Sequence, residues 1–212
     1  DLHYPLRRQR QMCIRDSILP ALHENKNQDA LDHLRRILLH LNLISVECKL
    51  HRIEGFDVSN LMGEDAAVSM VVFAKGQPEK NQYRLFNIKN LSTPNDYQMM
   101  KQAIARRVKH LEWKRSDLMI VDGGKGQVRA ALQAHQTTQV RPPPIIGIAK
   151  NPDRLVIPAN INTQIKPIKI GWKVITLPID HPALHLIQRV RDESHRFAKK
   201  QHTRLKSKAL LD

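Results

Sequence analysis

RIEGFDVSNLMGEDAAVSMVVFAKGQPEKNQYRLFNIK, residues 52–89, carries strand signals in close succession. Arg52–Ser59 mixes apolar and polar residues, and Ala66–Ala74 is β-branched and apolar. The segment GQPEKN supplies a turn before Tyr83–Lys89. Strands joined by such short turns predict an antiparallel meander. Towards the C-terminus, Thr93 or Asn95 can cap a helix that runs to about Leu111, with Tyr97, Met100, Ile104, Val108 and Leu111 as its apolar stripe. Leu118–Val121 is a short apolar strand ending in Asp122, and Gly123, Gly124 and Gly126 lead into an amphipathic helix through about Ala134. Pro142–Pro144 precede a buried strand, Ile145–Ala149, and residues 151–178 read as loops and short hairpin strands. Pro182 opens a long helix to about Lys206. On the N-terminal side a helix is expected from Asp29, with Leu31, Leu34, Leu38 and Leu41 at helical spacing. This order predicts an α/β domain built on a mixed five-stranded sheet, its first three strands antiparallel, with helices flanking it. An RNase H-like fold has that order, but so do unrelated folds.

Composition narrows the function. Lys and Arg number 35 against 20 Asp and Glu, a formal net charge of +15. Such an excess is the footprint of a polyanionic partner, because cationic side chains gain affinity by releasing counterions from phosphates. Aromatic residues make up 4% of the chain, which argues for contact with a duplex backbone over base stacking. Cys13 and Cys48 show neither disulfide nor zinc spacing and read as free thiols in a reducing cytoplasm. No apolar run has the length of a membrane span and no signal peptide is visible, so a cytoplasmic protein with no membrane partner is expected.

Certain side chains carry the chemistry. Asp57 lies among Ile53, Phe56 and Val58, where a carboxylate is costly to desolvate unless paired, hydrogen-bonded or bound to a metal. The competing reading is a strand-end Asp that caps a turn with Ser59 and Asn60. Asp122 directly follows LMIV, and the carboxyl ends of strands in open α/β sheets face the ligand crevice. The GGKGQ that follows is suited to a phosphate: glycines admit backbone N–H groups to an anion, and Lys125 adds a charge. It also serves as a plain tight turn, and the Walker A spacing is absent. Leu184, Arg191, His195 and His202 fall along one edge of the last helix, with Arg196, Lys199 and Lys200 making the surroundings cationic. His195 can bind a metal or carry a proton there, or simply sit on a solvated basic helix. Two strand-end carboxylates and a helical histidine in a basic chain fit metal-assisted phosphodiester hydrolysis with Mg²⁺ or Mn²⁺. No other cofactor is indicated.

RIEGFDVSNLMGE at 52–64, YRLFNIK at 83–89, DLMIVDGGKGQV at 117–128, IIGIAK at 145–150 and PALHLIQRVRDESHRFA at 182–198 resemble the C-terminal nuclease region of the UvrC family. The resemblance implies an RNase H-like fold related to endonuclease V. It implies a metal-binding, catalytic triad of Asp57, Asp122 and His195. It further implies an endonuclease of nucleotide excision repair that cuts double-stranded damaged DNA 5′ to a lesion within a UvrB–DNA complex, with UvrA acting upstream. Lys125, Arg191, Arg196 and Lys199 are then expected to contact DNA phosphates. By the same resemblance, residues 1–27 form an N-terminal arm and residues 28–208 the nuclease domain. Residues 209–212 open a further segment, where helix-hairpin-helix motifs would follow. The first 17 residues, with Arg7, Arg8 and Arg10, have no clear period and read as unstructured or foreign to the fold. Alternative readings are an endonuclease V-like nuclease that flips a damaged base, which the scarcity of aromatic residues disfavours, and a non-catalytic DNA-binding or partner-docking module. Distances between Asp57, Asp122 and His195 separate the last from a nuclease.

Overall fold

A computed structural model describes residues 25–60, 66–88, 95–136, 142–159 and 170–209. Strand β1 (Arg52–Asn60) lies in the middle of the sheet. Strand β2 (Ala66–Ala74) pairs with it antiparallel, setting Asp57 opposite Ser69. The other edge of β2 holds the two-residue β3 (Gln77–Pro78) and β4 (Arg84–Ile88), separated by a 3-10 turn at Lys80–Gln82. Strands β5 (Leu118–Asp122) and β6 (Ile145–Ala149) continue the sheet parallel to β1. Helix α1 covers residues 25–40, α2 Asp96–Lys109, α3 Lys125–Gln136 and α4 Pro182–Ala209.

The core β4–β2–β1–β5–β6, antiparallel on one side of β1 and parallel on the other, is the RNase H-like order expected. The sheet is wider than five strands, however. Strands β7 (Arg154–Ala159) and β8 (Gly171–Ile175) extend it antiparallel beyond β6, and with β3 the total among the described residues is eight. They come from the region read as short hairpin strands, which has too few alternating residues to announce its place in the main sheet.

Parity along the strands sorts the core into two layers. Successive strand residues point to opposite faces, and both faces of β1 are covered. Ile53, Val71, Phe73, Leu118, Ile120, Ile146 and Ile148 pack with Leu31, Leu34 and Leu38 of α1 and Leu186, Ile187 and Val190 of α4. Phe56, Val68, Met70, Val72, Met119 and Val121 pack on the other face with Met99, Met100, Ile104 and Val108 of α2 and Val128 of α3. The expected helical stripes are thus the buried faces, with two adjustments. Helix α1 begins upstream of Asp29, and its Asn27 is buried where the Arg189 guanidinium donates to it. Helix α2 stops at Lys109, leaving Leu111 in solvent at 79% exposure. Asn95 is the cap, its Oδ1 accepting from the N–H groups of Tyr97 and Gln98, while Thr93 lies outside the described residues, as do residues 1–17. Among the described residues no helix is long and apolar enough to cross a membrane.

A buried ion cluster fastens α2 to β1. Glu54 is fully buried, and its Oε1 accepts from Arg52 Nε at 2.9 Å and Arg107 Nη2 at 2.8 Å. Arg107 also donates to Glu54 Oε2 at 3.0 Å and to the Lys114 carbonyl at 2.7 Å. Removing one partner of such a cluster strands an uncompensated charge. Glu54→Ala is expected to destabilise the fold by about 3–5 kcal/mol, read as a lowered urea midpoint.

His135 of α3 is buried on the same side. Burial, with the Arg107 and Arg115 charges nearby, pushes its imidazole down to about 4. Between that value and the ordinary 6.5 only the unfolded chain takes up the proton, so this group's stability contribution is complete above pH 6.5 and drains as pH falls. His135→Leu is expected to remove about 2 kcal/mol of the stability lost between pH 7 and pH 5, measured by denaturation at each pH.

Candidate metal centre at the strand ends

The same parity that builds the α4-side core delivers its polar residues to one place. Ile53, Gly55 and Asp57 share that face of β1, Leu118, Ile120 and Asp122 that of β5, and Ile146 and Ile148 that of β6, with Lys150 next in phase. Phe56 pairs with Val121, so Asp57 and Asp122 are the next residues on neighbouring parallel strands. After Asp122 the chain must turn away sharply. Gly123, at φ +135°, allows this, and Gly147 leaves room for it: a Cβ there would stand 2.5 Å from the Gly123 carbonyl oxygen.

Helix α4 supplies the third group because it lies unusually close to β1. A Cβ on Gly55 would stand 2.4 Å from Cγ1 of Val190, so only glycine permits this contact. From Val190, five residues of helix rise about 7.5 Å, and from Gly55 two residues of strand span about 6.6 Å. The Val190–Gly55 contact therefore sets His195 above Asp57. Ser69, fully buried opposite Asp57, donates its hydroxyl to the Ser194 carbonyl at 3.1 Å, and so ties α4 to the sheet beside the histidine.

The imidazole of His195 sits between the two carboxylates. Its Nδ1 is 3.1 Å from Asp57 Oδ2 and its Nε2 is 2.8 Å from Asp122 Oδ2. One ligand atom from each of the three residues lies within 4.8 Å of the others. Burial raises the Asp57 carboxyl to about 6 against the pull of His195, while the Asp122 charge pushes it up and Lys150 draws it down. Two hard oxygen donors and one imidazole nitrogen, gathered at a half-open site, fit a divalent cation such as Mg²⁺ or Mn²⁺. A carboxylate kept out of water with a second one beside it has a physical need for such a charge.

The other residues singled out in the sequence are placed differently. Lys125 is exposed at the start of α3, and Lys199 is exposed one turn beyond His195. Arg191 is engaged by Asp153 and Asp192, and Arg196 by Glu193 at 2.6 Å, which also accepts from the Tyr83 hydroxyl. The side chain of His202 lies outside the described residues. Lys150 was missed by sequence reasoning, yet its Nζ is 3.2 Å from both Asp122 Oδ2 and His195 Nε2. Its signal was present: it follows IIGIA as Asp122 follows LMIV, at the carboxyl end of a buried parallel strand.

Residues 42–198 match the family model described as the UvrC RNAse H endonuclease domain. UvrABC system protein C of Dictyoglomus thermophilum is 38% identical over 204 residues, which cover 95% of this chain and 31% of that protein. The proteins of the same name from Dechloromonas aromatica and Deinococcus radiodurans are 37% and 35% identical over 94% and 92% of this chain. The chain spans about a third of the length of these curated relatives. Among solved structures, Ciona intestinalis endonuclease V in complex with a 24mer DNA containing an inosine followed by a ribo-adenosine is 12% identical with a TM-score of 0.49, covering 90% of this chain and 99% of that one. The family model spans β1 to α4 and so takes in Asp57, Asp122 and His195, and on that match the chain belongs to the UvrC RNase H endonuclease domain family.

Proposed function

We propose that this domain is the metal-dependent endonuclease that makes the cut 5′ to a lesion during nucleotide excision repair, acting on damaged duplex DNA held by UvrB after UvrA has acted. The observation that carries this reading is the gathering of Asp57, Asp122 and His195 donor atoms within 4.8 Å at the ends of parallel strands. A non-catalytic docking module has no use for that cluster. An endonuclease V-like reading needs an aromatic wedge, whereas Trp113 is stacked on His110 and Trp172 lies beneath Arg129.

Asp57 and Asp122 would offer carboxylate oxygens, and His195 a ring nitrogen, to one Mg²⁺ or Mn²⁺. When bound, such an ion supplies Lewis-acid polarisation of a phosphoryl oxygen and an acidified water. Lys150, beside Asp122 and His195, would neutralise the phosphate brought to that site. Lys125 and Lys199 are exposed cations suited to neighbouring phosphates, and such contacts hold a backbone without reading its sequence. Arg191 and Arg196 are each engaged by carboxylates, which offset part of the charge they would offer a phosphate.

Asp57→Ala or Asp122→Ala is expected to bring Mn²⁺-dependent nicking of a bubble-containing duplex below detection, with DNA affinity nearly unchanged. His195→Ala should weaken nicking and Mn²⁺ binding together. Nicking that survives in either aspartate variant, or in EDTA, overturns the scheme.

Ser69 acts on the same site from behind the histidine. Ser69→Ala removes the tie to the Ser194 carbonyl and leaves that oxygen buried. Mn²⁺ affinity by calorimetry is expected to fall about tenfold, the scale of lost outer-shell support, while the far-ultraviolet circular dichroism stays as in the parent.

A further inference from the structure

The turn 150–153 joins β6 to β7 and holds Lys150 at one end and Asp153 at the other. Asp153 is gripped by α4. Arg191 Nη1 donates to both of its carboxylate oxygens, at 2.8 and 2.9 Å, and Gln188 Nε2 donates to Oδ2 at 2.8 Å. Arg191 is itself steadied by Asp192 through Nε at 3.0 Å. Gln188, Arg191 and His195 stand on successive turns along one face of α4. The helix that supplies His195 thus also grips the turn that supplies Lys150. The Arg191 and Asp153 side chains are only 14% and 19% exposed, so this is a partly desolvated pair, less weakened by water than an exposed one. Lys150, Asn151, Asp153, Arg191, Asp192 and His195 line an open cleft of about 280 Å³.

We propose that Asp153, clamped by Arg191 and Gln188, is a positioning residue that holds Lys150 against Asp122 and His195. A lysine side chain carries about 2 kcal/mol of rotamer entropy, and its reach is set by where its backbone is anchored. Fixing the far end of a four-residue turn limits that anchor. The clamp recasts Arg191, expected from sequence to contact a phosphate, as a structural cation whose Nε and Nη1 engage Asp192 and Asp153. Its catalytic consequence rests on the nuclease reading above, but the clamp itself is testable without turnover.

Acetylation of the native chain by limiting acetic anhydride, followed by peptide mass spectrometry, reports how firmly Lys150 is held. With Lys199 as internal reference, Asp153→Asn is expected to speed Lys150 labelling by about threefold, the scale of the Lys150–Asp122 ion pair, whose lysine is half-exposed. Arg191→Gln should do the same, and the double variant should add little. Unchanged Lys150 labelling in folded Asp153→Asn overturns the proposal. If that variant melts early, Gln188→Ala and Arg191→Lys test the same clamp, and unchanged labelling in both also overturns it. In Mn²⁺-dependent nicking, Asp153→Asn should cost nothing further once Lys150→Ala is present, and full additivity counts against positioning through Lys150. Faster labelling together with full nicking by Lys150→Ala would leave the clamp standing and remove Lys150 from the nuclease reading.

Discussion

The contact between Gly55 and Val190 is the constraint on which the rest of the site depends. The two carboxylates are brought together by hydrogen-bond register alone, since Phe56 faces Val121 across a parallel ladder. A side chain on a helix has no such ladder. Its position is set by how closely and at what offset the helix packs, and here a missing Cβ decides both. Ser69 then converts that packing into a defined register by bonding to the α4 backbone at Ser194. Distances near 3 Å between His195 and both carboxylates are the result.

This arrangement works against stability. Asp57 is 4% exposed and pushed up to about 6, with Asp122 opposing its charge and His195 and Lys150 easing it. Nothing in the hydrophobic layer requires a carboxylate there. The apolar packing on both faces of the sheet carries the fold, and the strand ends hold groups that a folding criterion alone would not select.

The succession of strands and helices, the helical stripes and the two strand-end aspartates were legible because each is a local pattern. A period of two or of about 3.6 is visible within a dozen residues, and an acid directly after LMIV is conspicuous. His195 was legible only through its RDESHRFA context, since a helical histidine among eleven in the chain is unremarkable alone. Lys150 stood in the same phase as Asp122 but went unremarked, because a lysine after a strand is ordinary in so basic a chain. What stayed hidden depends on partners remote in sequence: Asp153 with Arg191, Glu54 with Arg107, Ser69 with Ser194. The extra strands β7 and β8 were hidden for a related reason. Their membership in the main sheet is set by β6, and nothing within their own residues declares it.

Strand β1 bears two acids three positions apart, and the pleat turns them to opposite faces. Glu54 is answered by Arg52 and Arg107, while Asp57 faces His195 and a second carboxylate, Asp122. One strand therefore carries two acids under different kinds of mutational tolerance. At Glu54, substitution is screened by folding. At Asp57 it is screened by chemistry. A lineage relieved of the need to cut DNA could lose the acid at 57 and keep its architecture, so an intact Glu54 with an altered Asp57 would be the mark of a retired nuclease.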